Sequence, residues 1–521
     1  MKKKNIIFQE EAKDAILAGS YTLYKAVSST LGPNGKNVII EQENYYPLVT
    51  MDGVSVANEI VLENKPENMG CLLLRNAANK TLLEAGDGTT TTIIIAYSLM
   101  QKGYQKLKEG FSANHLKDSL ELMSKEAISY LKSLSVSLDN NEEQFLDIIE
   151  GVATISSNND SEIGTLLRNV VTKIGKSGNI THLPTRLPNT YVEYIPGISI
   201  NSGFMSNYFI LDETKQQSSY DNCLLLISNY EVKSIEQIEI LLTFASQNNK
   251  PIVILATSFE KEFIRNLAAN VVKRKIIACC VKYDSSDSFW KDTVEDIALL
   301  TGATIVTGEN NLTLETAMPN VLGNAVNITC KKNKTIITAP EGLNTEKVNA
   351  LIAATKELES KENSLYQKER YQNRIYRLNG KNAIIHVGAD TEVELQQKIG
   401  RVDDAVKAVK SAIEEGVNLG GGSDLYRTAL HLEKIYGSNI LSDSLKENYR
   451  LLKKYSSVES DFDFNVRELT FDFKNKTVVN GFENKIFDPT KVLTSSIKNA
   501  VSVANMFITT DTVITNVEEL L

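Results

Sequence analysis

Gly86-Asp87-Gly88-Thr89-Thr90-Thr91-Thr92 is the stretch on which the reading of this chain turns, and the apolar run Ile93-Ile94-Ile95 follows it directly. Two glycines flank an aspartate, and four hydroxyl-bearing side chains come next. An Asp in that place caps a helix by accepting backbone N–H groups that the first turn leaves unpaired. The same carboxylate suits Mg2+, a hard cation that takes oxygen ligands and substrate phosphates. Glycine lets backbone approach closely, and a helix N-terminus with threonine hydroxyls suits phosphate oxygens. A plain helix cap and a phosphate site both stay open from these residues alone.

Working outward, a chain of 521 residues exceeds one hydrophobic core, so two to four domains are expected. A net charge of −9 with dispersed basic residues argues against nucleic acid as the partner. Met1-Lys2-Lys3-Lys4 is followed by too short an apolar run for a signal peptide, and no later run approaches a membrane span. The five cysteines form no Cys-x-x-Cys pair and the four histidines no metal-binding spacing. A reducing, cytoplasmic setting without a zinc site is the expectation.

Residues 9–31 carry a helical pattern that stops at Gly32-Pro33-Asn34-Gly35, and Val38-Ile39-Ile40 reads as a strand. Asp52-Gly53 reads as a turn between strand-formers. Helices are predicted from Glu67 to Asp87, through Ile93–Leu99, and over 113–134. A polar connector follows at 139–143. Residues 197–380 alternate strands (223–227, 252–255, 276–281, 304–306) with amphipathic helices (234–247, 259–273, 291–301), which predicts an α/β domain with a largely parallel sheet. Residues 344–379 read as a charged helical hairpin. A long helix is predicted over 392–415, then Gly420-Gly421-Gly422 before another helix. That triple glycine reads as a flexible joint or as bare backbone against a ligand. Met506–Thr510 reads as strand. Helical material at both ends around an α/β centre makes a domain inserted within a domain the simplest arrangement.

Leu31-Gly32-Pro33-Asn34-Gly35-Lys36-Asn37-Val38, Asp52-Gly53-Val54-Ser55-Val56-Ala57, Glu67-Asn68-Met69-Gly70, Ala85-Gly86-Asp87-Gly88-Thr89-Thr90-Thr91, Asp404-Ala405, Glu414-Glu415-Gly416-Val417, Gly420-Gly421-Gly422 and Phe487-Asp488-Pro489-Thr490-Lys491-Val492 stand in the order and spacing of the group I (GroEL-type) chaperonins. The chain resembles a divergent member of that family over nearly its whole length. The resemblance implies an α+β multidomain fold: a mostly helical equatorial ATPase domain (1–134 and 416–521), a small intermediate hinge (135–196 and 383–415) and an α/β apical domain (197–382). It implies ATP-driven folding of non-native polypeptides in a seven-membered homo-oligomeric ring. Carried over position by position, Leu31, Gly32 and Pro33 would wrap the phosphates. Asp87 would ligate Mg2+, and Gly88, Thr89, Thr90 and Thr91 would bond phosphate oxygens. Thr30 and Thr90 match positions near a monovalent cation, K+. Gly421 would face the nucleoside and Asp488 the ribose. Asp52 and Asp404 match the carboxylates that orient the attacking water, Asp404 arriving on the hinge helix.

The same resemblance implies a client site at Phe204, Tyr208, Phe209, Leu241, Leu242, Ile264 and Leu267, because non-native chains are recognised through exposed apolar surface. Glu239, Ala268 and Ala269 depart from the family's larger apolar residues there. A smaller, more acidic groove follows, which weakens docking of clients and of a GroES-type co-chaperonin alike. Glu109 would bring like charge to the ring–ring contact and favour single rings over double ones. A divergent paralogue acting as an ATP-binding scaffold is the alternative reading.

Overall fold

The computed structural model describes residues 4–41, 47–138, 142–176, 178–200, 202–211, 217–283, 288–340, 342–362 and 364–516. The chain is α+β and multidomain, and falls into two compact units. The first comprises Met1–Lys173, His182–Tyr191 and His386–Leu521, the second Ile174–Thr181 and Val192–Ile385.

The first unit opens with β1 (Lys4–Phe8), α1 (Gln9–Ser28), β2 (Val38–Ile40), β3 (Leu48–Thr50), α2 (Gly53–Glu59), α3 (Lys65–Ala85), α4 (Thr89–Lys108), α5 (Ala113–Leu134), α6 (Glu142–Ser156) and α7 (Ser161–Ile174). Strands β4 (Asn179–Pro184) and β5 (Tyr191–Pro196) follow, and with β12 (Lys381–Val387) they make a sheet of order β4-β12-β5. The second unit then holds β6 (Ile198–Ile200), β7 (Gln217–Val232), α8 (Glu239–Gln247), β8 (Ile252–Phe259), α9 (Lys261–Val272), β9 (Ala278–Lys282), α10 (Ser288–Thr301), β10 (Gly323–Lys331), β11 (Thr335–Thr338), α11 (Thr345–Lys361) and α12 (Leu365–Asn379). The chain returns through α13 (Glu392–Glu415), β13 (Val417–Leu419), α14 (Ser423–Tyr436), α15 (Ile440–Leu445), α16 (Glu447–Tyr455), β14 (Leu469–Asp472), β15 (Thr477–Asn480), β16 (Phe487–Pro489), α17 (Thr490–Thr509) and β17 (Thr512–Asn516).

In the first unit α4 is the central rod. Ile93, Ile94, Ile95, Leu99 and Met100 are all fully buried, so this stretch of the helix is enclosed on every side. Each such side chain contributes about 2–3 kcal/mol of burial. Helices α1, α3 and α17 surround it. At Gly70 of α3 a Cβ would stand 1.9 Å from the Ile16 carbonyl oxygen, so glycine permits the close approach of α1 and α3. Strands β1 and β17 pair antiparallel, from Lys4 with Asn516 to Phe8 with Thr512.

The second unit is a six-stranded sheet of order β6-β11-β10-β7-β8-β9. Only β7–β8 and β8–β9 are parallel; β10 pairs antiparallel with both β7 and β11, and β11 with β6. The expected largely parallel sheet is therefore a mixed one, because β10 and β11 form a hairpin on its edge side instead of following crossover helices. Residues 304–306 form no strand of their own, and Val306 makes a single bridge to Ser228.

Two further readings are corrected. After Asp52 the chain turns into helix α2, since the Asp52 carboxylate accepts from the N–H groups of Val54 (3.1 Å) and Ser55 (2.9 Å) and so caps it. Residues 506–509 are the last turn of α17, where Phe507 and Ile508 point into the core while Met506 is exposed. Of the polar connector expected at 139–143, residues 139–141 lie outside the described residues, and Glu142 begins α6.

Candidate functional site

A cavity of about 470 Å3 in the first unit is lined by residues from segments far apart in sequence. Thr30, Leu31, Gly32, Pro33, Asp52, Asp87, Gly88, Thr89, Thr90, Thr91, Asp404, Gly421 and Asp488 all face it. Every residue predicted for nucleotide, metal or water is thus brought to one place, in a volume suited to a small ligand.

The floor is the start of α4. Gly88 is its N-cap at φ +87°, a conformation costly for any side chain, and a Cβ there would meet Val492 at 2.6 Å. No side chain caps this helix, so its first N–H groups point at the cavity beside Thr89, Thr90 and Thr91. Thr92 does other work: its hydroxyl bonds Gly88 O and Thr81 Oγ1, both at 2.9 Å, inside the protein. Asp87 accepts from the Gly88 N–H and from Ser156 Oγ at 3.0 Å.

Opposite, Thr30 to Gly35 form a tight turn after α1. Gly35 N–H bonds Gly32 O at 3.0 Å, and Asn34 Nδ2 reaches Phe473 O at 3.0 Å and Ser456 Oγ at 2.9 Å. The Gly420–Gly422 loop is held rather than loose. The buried Asp424 carboxylate accepts from Leu419 N–H (2.9 Å) and Arg427 Nη1 (2.9 Å), and Gly420 N–H bonds Ile486 O (3.0 Å). Strand β13 pairs with β16 so that Asn418 stands opposite Asp488.

Asp404 arrives on α13. That helix is pinned by Ser411 Oγ to Ala85 O (2.6 Å) and by Arg401 to Asp160 (3.0 Å) at the turn between α6 and α7. Lys407, one turn on from Asp403, pairs with it at 2.7 Å.

The cavity is acidic. Its lining carries Asp52, Asp87, Glu150, Asp404, Asp472 and Asp488 against two lysines, Lys474 and Lys485, among the described residues. Lys485 is already paired with Glu150 (2.6 Å) and Asp147 (2.9 Å). Enclosure by protein pushes the Asp87 carboxyl above its usual range; the Asp52 charge adds to this, and Gly88 N–H, Ser156 and Lys407 oppose it. Asp404 is pushed well up by enclosure, then by Asp87, Asp52 and Asp403. Asp488 is pushed up to about 7 by enclosure, then by Asp87 and Asp424. Asp87, Asp404 and Asp488 still keep part of their surface open. Such a set of carboxylates is short of positive charge, and a divalent cation would supply it.

Sequence reasoning missed Ser156, Asn158, Asn159, Asn448, Phe471 and Phe473 in the lining. The Ser156-Ser157-Asn158-Asn159-Asp160 run was the available signal, since Asn158 (φ +60°) and Asn159 (φ +62°) take the left-handed turn that Asn tolerates.

The second unit places the expected client residues differently. Phe204, Phe209, Leu241, Leu242 and Leu267 are buried in its core, and Ile264 is half-buried against that core. Only Tyr208, at 69% exposure, stands on the surface. The reason is ordinary amphipathicity: α8 and α9 turn their apolar stripe onto the sheet. Their exposed large apolar side chains are Ile240 and Val272 instead. Glu109, expected as an unscreened like charge, pairs with Lys106 at 2.6 Å.

A sequence model of the TCP-1/cpn60 chaperonin family matches residues 23–518. Two crystal structures of the chaperonin gp146 from the bacteriophage EL 2 (Pseudomonas aeruginosa), both obtained in the presence of ATP-BeFx, are similar to this chain. Crystal form I gives a TM-score of 0.70 at 21% identity, and crystal form II a TM-score of 0.62 at 20% identity. In both cases 98% of this chain and 99% of the other are covered. The likeness is one of fold along the whole chain.

Proposed function

This chain belongs to the TCP-1/cpn60 chaperonin family, and from that premise we propose that it hydrolyses ATP in the first unit's cavity to drive the binding and folding of non-native polypeptides. The observation that carries the reading is the convergence of Asp52, Asp87 and Asp404 on the uncapped N-terminus of α4. A triphosphate alone would be repelled by so acidic a cavity; Mg2+ would offset charge on the phosphates and on the nearest carboxylate, and the helix N–H groups would meet phosphate oxygens.

In this reading Leu31, Gly32 and Pro33 wrap the phosphates, and Gly88, Thr89, Thr90 and Thr91 bond their oxygens. Asp87 would hold Mg2+, which supplies charge neutralisation on the phosphates. Thr30 and Thr90 would flank a K+ ion. Gly421 faces the nucleoside, and Asp488 the ribose hydroxyls. Asp52 and Asp404 orient the attacking water and hold its proton as it is lost. Residues 135–196 and 383–415 would take the hinge role, with α13 carrying Asp404. Assembly is proposed as a seven-membered ring acting in the cytoplasm. The Lys106–Glu109 pair relieves the like-charge repulsion expected between rings. Docking of a GroES-type co-chaperonin would use the same face of the second unit as clients.

Replacing Asp404 by Ala tests the assignment. ADP affinity should stay within about threefold while single-turnover ATP hydrolysis falls about 100-fold or more. Unchanged turnover would remove Asp404 from the reaction. A second reading, an ATP-binding scaffold with little folding activity, draws on the burial of five expected client residues. It predicts nucleotide binding without nucleotide-dependent recovery of a denatured client.

A further inference from the structure

Asn448 sits on α16, lines the cavity and is 3% exposed. Neither its Oδ1 nor its Nδ2 has a hydrogen-bond partner, and it is the one buried carboxamide with both atoms left so among the described residues. Buried amides are almost always bonded, because leaving a donor or an acceptor unmade is expensive. Leu452 lies four residues on, one turn along α16, and lines the same cavity. That spacing puts the cavity-facing side of α16 at Asn448 and Leu452. The helix is wedged beside both glycine loops: a Cβ at Gly32 would meet Leu452 Cδ2 at 2.3 Å, and one at Gly422 would meet the Tyr449 N at 3.1 Å.

The surroundings define what the amide would meet. Leu452, Phe471 and Phe473 form an apolar cluster with Leu31 packed against it, and all four line the cavity. This part of the wall is apolar, unlike the part that carries Asp52, Asp87 and Asp404, and Asn448 stands one helical turn from Leu452 beside it. An apolar slot with one donor–acceptor pair suits the edge of a heteroaromatic base. We propose that Asn448 is a specificity-determining residue that reads the amino-and-ring-nitrogen edge of adenine. Its Oδ1 accepts from the 6-amino group, and its Nδ2 donates to the neighbouring ring nitrogen, the pairing that a carboxamide makes with adenine.

This assignment rests on the nucleotide reading of the cavity, and the test separates the two. Binding of ADP and of purine riboside 5′-diphosphate, which lacks only the 6-amino group, is measured by calorimetry on the full chain. The two ligands are compared in wild type, Asn448→Leu and the smaller Asn448→Ala. Wild type should prefer ADP about tenfold or more, and both variants should lose most of that preference while still binding. Equal affinity of wild type for the two ligands, or a preference unchanged in both variants, overturns the role of Asn448 alone. Wild type that binds neither ligand overturns the nucleotide reading itself.

Discussion

The two units handle acidic side chains in opposite ways. In the second unit Asp296 is fully buried, yet Arg374 reaches it at 2.9 Å and Arg377 at 3.2 Å, while Arg370 and Arg374 also hold Asp292. Burial raises the Asp296 carboxyl and the two arginines oppose it, leaving it at about 6. In the first unit enclosure raises Asp87, Asp404 and Asp488, the Asp87 charge adds to the rise of the other two, and Lys407, the opposing charge on Asp87 and Asp404, is engaged by Asp403. One cluster is closed by charge from the chain itself, so it is structural. The other is left open to charge from outside, which is what a site for a cation and a phosphate chain requires.

The sharpest way to break this contrast is at Arg374. Arg374→Ala leaves buried Asp296 with one guanidinium and should destabilise the second unit by about 3 kcal/mol in urea unfolding. ADP binding in the first unit should be unaltered. A neutral outcome would mean that the arginine cluster is not compensating buried charge.

A smaller effect comes from pH. A carboxyl whose folded pKa lies above its unfolded value keeps more protons in the native state. Its stabilising contribution is full below the unfolded value and is lost as pH rises through the folded one. Asp488, raised to about 7, therefore makes the ligand-free protein progressively less stable as pH rises from the ordinary carboxylate range to about 7, a span that also contains the titration of Asp296. Asp488→Asn should flatten that decline in melting temperature, a change of a few degrees. A slope that is the same in the variant would place the titration elsewhere.

Much of the cavity could be read from the sequence because its parts are marked by residues with few other uses there. Glycines beside aspartates at 52–53 and 86–88, and the triple glycine at 420–422, are punctuation that survives without tertiary knowledge. Ser156 and Asn448 could not be read so. A serine at a helix end and an asparagine in a short helix are common, and only the packing of α6 and α16 gives them a role. The second unit shows the complementary failure. An apolar side chain on an amphipathic helix faces the core unless something opposes it, so Leu241 and Leu267 were poor choices for an exposed surface. The Asp52-Gly53 pair was ambiguous in the same way, since a turn signal and an N-cap use the same residue.

The central claim is that the first unit's carboxylates await an external cation brought with a nucleotide. Calorimetric titration of ADP into the full chain at pH 7, with and without Mg2+ and in two buffers of different ionisation enthalpy, tests it most directly. The account predicts Mg2+-dependent binding with release of protons from the raised carboxyls, and affinity about 10- to 100-fold weaker in Asp87→Asn. ADP binding that is indifferent to Mg2+ and releases no protons, or no binding at all, would contradict it.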